Sequence, residues 1–371
     1  MRENFRVIIS GGGTGGHIFP AISIADALKK SYPSCEILFV GALGKMEMER
    51  VPAAGYKIAG LPVAGLKRKL DAGNLKLPFK LIRSLKMAGT IIDKFKPDVA
   101  VGVGGYASGP MLWMAGQKGI PYLIQEQNSH AGLTNRILGR RAKKICVAYE
   151  GMERFFAKEK ILVTGNPVRE DIVEMTKELK EEAFRYYDLN PEKRTILVVG
   201  GSLGARTLNS CVKRWIINNT SSNIQIIWQY GKYYRGEVKE FIEKNPRDFV
   251  KENEFIKRMD YAFAASDVVI TRAGAGTISE LCIAKKACIF VPSPNVTEDH
   301  QTHNAMALVK KGAALLVPDR EAESRLMDLA LELATDTKRI ENMENNIAKF
   351  AFRDSAEIIA KEVTNLIEQR R

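Results

Sequence analysis

Hydrophobic positions in this chain fall into two alternating registers. Short β-branched runs occur at Val7, Ile37 to Val40, Val99 to Val103, Tyr122 to Ile124 and Ile145 to Val147, and helix-length amphipathic segments separate them. Strands alternating with helices predict a parallel, doubly wound α/β sheet. The alternation breaks at Gly165-Asn166-Pro167, passes through a charged helical stretch from Val168 to Arg194, and restarts at Thr195. There TILVVGGSLGARTLN repeats the strand, glycine turn and helix of RVIISGGGTGGHIFPA, and further runs follow at Ile224 to Trp228, Val268 to Ile270, Cys288 to Val291 and Leu315 to Val317. The pattern predicts two Rossmann-like, doubly wound domains facing a cleft lined by the carboxyl ends of both sheets, where such folds bind ligands. The expected boundaries are 1–164, 165–353, and a helix over 354–371 that packs its isoleucine and valine face back on the body.

The first glycine turn, residues 11 to 20, reads GGGTGGHIFP. Glycines reach backbone angles closed to other residues and leave main-chain N–H groups open to an anion, and a helix start adds its positive dipole end. Pro20 is expected in the first helical turn, where its missing N–H costs nothing. His17 brings a titratable imidazole, with an ordinary pKa of about 6.5, to the mouth of this turn. The plainer alternative is a tight turn with a histidine cap. Gly11, Gly13 and Gly16 also satisfy G-x-G-x-x-G, but the second strand, EILFV, runs into Gly41-Ala42-Leu43 without the acid that a dinucleotide ribose requires. A dehydrogenase is therefore a minor reading.

At 371 residues and 45% hydrophobic content the chain can build two cores. A formal net charge of +13 calls for an anionic partner: nucleic acid, an anionic membrane surface or a phosphorylated substrate. No aromatic platform interleaves with the basic residues and no nucleic-acid motif is present, which argues against the first. Five scattered cysteines without a C-x-x-C pair read as reduced core residues. The glycine turn begins by residue 11, leaving no room for a signal peptide, and no apolar stretch approaches the roughly 20 residues of a spanning helix, so a soluble or peripheral chain is expected.

In the second half the densest polar cluster is RAGAGTISEL, Arg272 to Leu281. Small residues at 273 to 276 permit close backbone approach, Thr277 and Ser279 carry hydroxyls, and Glu280 either complements the helix dipole or accepts the paired hydroxyls of a ribose while the loop amides face a diphosphate. In EDHQTHNA, Gln301 and Asn304 stand one turn apart, suited to sugar hydroxyls. His300 and His303, even with Asp299, lack a clear third ligand, so no metal site is expected. There is no D-x-D triplet. A diphosphate would then be met by amides, helix ends and arginine, with Arg169 and Arg272 available; no cofactor is implied.

The stretch LKRKLDAGNLKLPFKLIRSLKMAG, residues 66 to 89, accounts for part of the charge. On a helix, Leu77, Leu81, Leu85 and Ala88 make one face, assigned to the core. Leu75, Phe79 and Ile82 lie nearly opposite, ringed by Lys67, Arg68, Lys69, Lys76, Lys80, Arg83 and Lys86. This suits an interfacial site on an anionic leaflet. The alternative is a solvated basic face beside a subunit contact.

Taken together, GGGTGGHIFPA, GGYASGP at 104 to 110, EQN at 126 to 128, AGLTNR at 131 to 136, GNPVR at 165 to 169, GGSLGAR at 200 to 206, RAGAGTISE at 272 to 280 and HQTHNA at 300 to 305 resemble, in order, the motifs of the MurG family. These are bacterial transferases of peptidoglycan synthesis. The resemblance implies a GT-B fold and transfer of N-acetylglucosamine from UDP-N-acetylglucosamine, bound mainly by the second domain. The implied acceptor is undecaprenyl-pyrophosphoryl-N-acetylmuramyl-pentapeptide, met mainly by the first. It further implies a peripheral enzyme on the cytoplasmic side of the cell membrane, serving cell wall biogenesis, cell shape and division. Carried over by motif, Thr14, Gly15, Gly16, Asn128, Arg169, Ser202 and Gln301 look like donor contacts, Ile256 like the residue whose backbone holds uracil, and Ala275, Gly276, Thr277, Ile278, Ser279 and Glu280 like the loop and helix start over diphosphate and ribose. Tyr106, Glu126 and Asn135 look like acceptor-side or sugar-side residues. At Gln229-Tyr230-Gly231-Lys232 the tyrosine departs from the threonine or serine of many relatives. The family's reaction inverts the anomeric carbon, so a base must serve the muramyl 4-hydroxyl; His17 is favoured over Glu126, a carboxylate that in the alternative ties down neighbouring amides. Another GT-B lipid glycosyltransferase, acting for example on a diacylglycerol, and a UDP-N-acetylglucosamine epimerase are the rival readings.

Overall fold

A computed structural model of the chain describes residues 4–63, 77–169, 172, 175–219 and 223–369. The chain forms two compact units, residues 1–169 with 352–371, and residues 170–351.

Unit 1 is built on seven parallel strands: β1 (Arg6–Ser10), β2 (Glu36–Ala42), β3 (Lys57–Leu61), β4 (Val99–Gly102), β5 (Tyr122–Glu126), β6 (Lys144–Val147) and β7 (Ile161–Val163), in the order β3-β2-β1-β4-β5-β6-β7. Helices α1 (Gly15–Ser31), α2 (Glu47–Ala53), α3 (Leu77–Phe95), α4 (Ser108–Gln117) and α5 (Leu133–Gly139) make the crossovers. Val7, Ile8 and Ile9 are wholly buried because helices cover both sheet faces, which is why such strands read as unbroken apolar runs. Strand order reverses between β1 and β4, and the loops leaving these strands open at that switch point.

Unit 2 repeats the plan with α6 (Lys177–Tyr187), β8 (Arg194–Val199), α7 (Arg206–Asn218), β9 (Ile224–Gln229), α8 (Arg235–Lys244), β10 (Val250–Asn253), α9 (Met259–Ala265), β11 (Val268–Thr271), α10 (Ala275–Ala284), β12 (Ala287–Phe290), α11 (His300–Val309), β13 (Leu315–Leu316), α12 (Ala322–Thr335) and α13 (Thr337–Ile347). Its parallel sheet runs β10-β9-β8-β11-β12-β13, with the switch between β8 and β11. The last helix, α14 (Ser355–Glu368), belongs to unit 1: Ile359, Val363 and Leu366 join the core of α1 and β1, and Ser355 Oγ donates to the Thr164 carbonyl at 2.7 Å.

The doubly wound architecture predicted by the alternation is present twice. Three strands were not among the expected runs. β7 has three residues, β3 has only one buried position, and β10, of sequence VKEN, closes an edge where one face stays wet. Pro20 corrects another expectation. It lies inside α1, not in the first turn, because the helix already begins at Gly15 behind an extended Thr14. The missing N–H therefore falls opposite the Gly16 carbonyl, one turn back.

Candidate active site

In unit 1 the loops after β1, β4 and β5 interlock. Gly12 and Gly13 turn with φ of 143° and 91°, Gly104 and Gly105 with 90° and 86°. A Cβ on Gly105 would run into the Gly12 carbonyl, and one on Gly104 would come within 2.9 Å of His17 Nε2, so only glycines let the two turns and the imidazole nest. The His17 ring is further placed by Thr14, whose Oγ1 lies 3.1 Å from Nδ1. The Thr14 hydroxyl makes no capping bond to the helix. Gly15 and Gly16 follow as the first helical residues, whose N–H groups have no intrahelical acceptor. Tyr106 stands beside Gly105 and is half exposed.

The β1–α1 turn is not an open anion cradle. Gly13 N–H donates to Glu47 Oε2 at 2.9 Å, and Ala42 N–H donates to Glu47 Oε1 at 2.9 Å. Glu47 is only 1% exposed, so a carboxylate already sits beneath the glycines. Nothing in the sequence around MEMER marked this residue: its partner Gly13 is 34 positions away.

Glu126 ends β5 and is 2% exposed. Its Oε1 accepts from Asn128 N–H (3.0 Å) and Asn128 Nδ2 (3.2 Å), its Oε2 from Gly132 N–H (3.2 Å) and Asn135 Nδ2 (2.8 Å). Burial pushes its carboxyl above the ordinary carboxylate range, opposed by those same donors. A carboxylate so surrounded has no lone pair left facing a substrate. It ties down the loop, the second of the two roles weighed for it, and it orients Asn135: with Nδ2 on Glu126, the buried Oδ1 is left without a hydrogen-bond partner. Beneath lies a buried amide network that sequence reading missed. Gln127 Nε2 donates to the Val103 carbonyl (2.6 Å) and to Gln125 Oε1, Gln125 Nε2 to Asn166 Oδ1 (2.9 Å), and Asn166 Nδ2 to the Gln127 carbonyl (3.1 Å). Arg169 lies partly buried at the end of this unit.

In unit 2 the loops and helix starts at the corresponding end of the sheet carry Ser202, Ile256, the 272–280 segment, Gln301 and Asn304. Ser202 is exposed in the turn after β8. The helix α10 starts behind an extended Gly274, so the N–H groups of Ala275, Gly276 and Thr277 make a helix N-terminus at the end of β11. Ala275 and Ile278 are buried and can offer only backbone. Ser279 Oγ donates back to the Ala275 carbonyl at 3.1 Å. Glu280 is the sixth helical residue, past the first turn within which the dipole acts, so the dipole does not account for it. Gln301 Oε1 accepts from Ser293 N–H at 2.8 Å, which leaves its Nε2 as the donor end, while Asn304 is fully buried.

Two expected contacts look different in place. Arg272 Nη1 binds Asp319 Oδ1 at 2.5 Å and the carbonyls of Val291 (2.9 Å) and Pro292 (3.2 Å), so its charge is already balanced within the fold. The Ile256 N–H, assigned to uracil by the resemblance, donates to Gln229 Oε1 at 2.8 Å. Tyr230, the departure from family pattern, turns into the core, 4% exposed with its ring 5.9 Å from that of Trp228.

The second apolar stripe falls on α3. Phe79 is 76% and Ile82 53% exposed, with Lys80, Arg83 and Lys86 exposed beside them. Leu75, Lys67, Arg68, Lys69 and Lys76 lie outside the described residues. Leu81, expected in the core, is 51% exposed; the buried line is Ser84, Ala88 and Ile92. Gly89 faces Met114 and Asp93 pairs with Lys118 at 2.7 Å, so α3 and α4 run side by side, and the residues of α3 before Arg83 extend past the start of α4 at Ser108. No helix among the described residues is long and apolar enough to cross a membrane.

Residues 7–147 match the glycosyltransferase family 28 N-terminal domain and residues 195–359 its C-terminal domain. A Parabacteroides distasonis protein named UDP-N-acetylglucosamine–N-acetylmuramyl-(pentapeptide) pyrophosphoryl-undecaprenol N-acetylglucosamine transferase is 54% identical over 370 residues, covering 100% of both chains. The chain belongs to the MurG family. A Phocaeicola vulgatus transferase of the same name is 55% identical over 100% of this chain and 99% of its own. The crystal structure of Acinetobacter baumannii MurG superposes with a TM-score of 0.78 at 26% identity, covering 97% of this chain and 99% of that one. A UDP-N-acetylglucosamine 2-epimerase structure shares the MurG-type fold alone, at 16% identity and a TM-score of 0.64.

Proposed function

We propose that this chain transfers N-acetylglucosamine from UDP-N-acetylglucosamine to the muramyl 4-hydroxyl of undecaprenyl-pyrophosphoryl-N-acetylmuramyl-pentapeptide, inverting the anomeric carbon. The observation that carries this reading is full-length similarity, at 54 and 55% identity, to transferases named for that reaction. One displacement needs a base at the attacking oxygen and fixed donors at the departing UDP. His17 supplies the base: with the proton at Nδ1 directed to Thr14 Oγ1, Nε2 is the ring nitrogen that takes the hydroxyl proton. Glu126 fixes the Asn135 amide, with Nδ2 on the carboxylate, and so shapes the β5–α5 loop on the acceptor side. The N-terminus of α10 and Ser202 meet the diphosphate, and Glu280 and Gln301 the hydroxyls of ribose and sugar.

The enzyme works as a peripheral protein on the cytoplasmic membrane face. Phe79, Leu81 and Ile82 on α3, Trp113 on α4 and Leu133 and Ile137 on α5 are all 42% exposed or more, and α4 packs against both other helices. Arg141 lies over the Trp113 ring at 5.5 Å, and Lys80, Arg83, Lys86, Arg136 and Arg140 are exposed on the same helices or at their ends. Apolar side chains ringed by cations fit an anionic leaflet, each cation adding about 1 kcal/mol near the surface.

Transfer of radiolabelled sugar to a short-chain lipid-linked muramyl-pentapeptide, with EDTA present, tests the reaction. Labelled disaccharide product is expected. Conversion of the donor to its 2-epimer without product would move the chain to the epimerase class. Replacing Phe79 and Ile82 by serine should weaken co-sedimentation with phosphatidylglycerol vesicles, and unchanged binding would remove the membrane reading.

A further inference from the structure

The geometry points to Glu47 as a positioning residue that sets the acceptor side of the site from below, an inference that rests on the proposed function. Its carboxylate joins two backbone segments, Gly13 after β1 and Ala42 at the end of β2, through 2.9 Å hydrogen bonds to each N–H. A Cβ on Gly12 would fall inside this carboxylate, and one on Gly41 would meet its side chain, so the glycines on both sides are shaped around Glu47. On its other face the Gly12 backbone abuts Gly105, neighbour of Tyr106, while Gly104 abuts the His17 ring. One buried carboxylate thus underlies the stack that carries both His17 and Tyr106. Packed glycines have no side chains to absorb a shift, so displacement at Gly12 and Gly13 passes directly to the facing loop.

The charge has a second consequence. The Gly13 N–H is occupied, and a negative group lies directly under the turn, so the turn has the N–H groups of Gly15 and Gly16, at the start of α1, to offer to a ligand oxygen, and does not wrap a diphosphate with all its amides.

Glu47→Gln and Glu47→Asp test this. Glutamine keeps the length but turns an NH2 toward one of the two N–H donors; aspartate keeps the charge but cannot reach both. Either change should lower kcat/KM for the lipid-linked acceptor by up to about 100-fold, the size of loss that a small misplacement of reacting groups produces. The KM for UDP-N-acetylglucosamine should stay within about twofold, since Glu47 lies in unit 1 and acts on the acceptor turn. Amide exchange at Gly13 should accelerate in both variants. A lowered melting temperature with acceptor kcat/KM unchanged would mean a brace for the fold only and overturn the inference. A rise in donor KM matching the acceptor loss would overturn it too. An inactive wild type would instead bring down the proposed function, and this inference with it.

Discussion

The two glycine turns begin alike, strand then glycines then helix, yet they are braced by opposite means. After β1 the turn rests on a buried carboxylate, Glu47, bonded to Gly13 N–H. After β8 it rests on neutral backbone: Lys232 N–H donates to the Ser202 carbonyl (3.1 Å), Tyr233 N–H to that of Leu203 (3.4 Å), and Gly204 lies against Gly231 and the Tyr230 carbonyl. An anion approaching the first turn meets a negative charge beneath it, whereas the groups that brace the second are backbone dipoles. A repeated motif thus supplies the same backbone shape twice, while residues far away in sequence decide which ligand chemistry each copy suits.

The strongest break in this comparison is at His17, the reacting group proposed beside the first turn. His17→Ala should cost roughly 100- to 10,000-fold in kcat, the usual contribution of a general base, and leave the donor KM near its wild-type value. A kcat within about threefold of wild type would transfer the base to another group. Glu126→Gln comes next. A glutamine has one oxygen where the carboxylate has two, so its NH2 must face either the Asn128 donors or those of Gly132 and Asn135, and in the second orientation Asn135 can answer it only by flipping its own amide. Either orientation loosens the β5–α5 loop that Glu126 holds, and acceptor kcat/KM should fall about 10- to 100-fold, in line with about 1.5–3 kcal/mol for hydrogen bonds to a charged group. Equal activity of Glu126→Gln and wild type would show that the orientation of Asn135 is immaterial. Ser202→Asp places in the second turn the charge that the first one has. Ser202 is exposed, so the fold should tolerate it, and the donor KM should rise about tenfold through repulsion of the diphosphate. An unmoved donor KM would take the diphosphate away from that turn.

Much of this was legible because apolar runs and glycine turns are local signals. Val7 to Ile9 announced a central strand, and GGSLGA announced the second turn. Pro20 misled because its placement depends on where α1 starts, and Thr14 starts it with backbone geometry while its hydroxyl is turned to His17. Leu81 misled because helical periodicity says which residues share a face and not where the neighbouring helix ends. The bonds of Glu47 to Gly13 and of Gln229 to Ile256 span 34 and 27 positions. No spacing rule encodes such pairs, since the sheet topology alone brings them together. Glu126 was more readable, because its partners Asn128, Gly132 and Asn135 lie within nine residues of it.

The units also differ in where they bury charge. Unit 1 places Glu47 and Glu126 at the ligand end of its sheet, while unit 2 buries Lys286 at the other end, just before β12, with Nζ donating to the Ser266 carbonyl at 2.8 Å. Burial pushes the Lys286 ammonium down to about 8, against the attraction of Glu344 and Asp267 and with the repulsion of Lys180. In the unfolded chain this lysine titrates at about 10.4. Between those values the unfolded state binds more protons, so stability must rise with pH from about 8 to 10.4, by up to about 3 kcal/mol, and below pH 8 the full cost of the buried charge is present. Urea unfolding of unit 2, followed by the fluorescence of its Trp215 and Trp228, should therefore move to higher midpoint between pH 8 and 10 in wild type and move less in Lys286→Met. Transfer activity per folded molecule should be the same in both proteins at pH 8. Identical midpoint shifts would mean that the ammonium stays charged in the fold, compensated by Glu344 and Asp267.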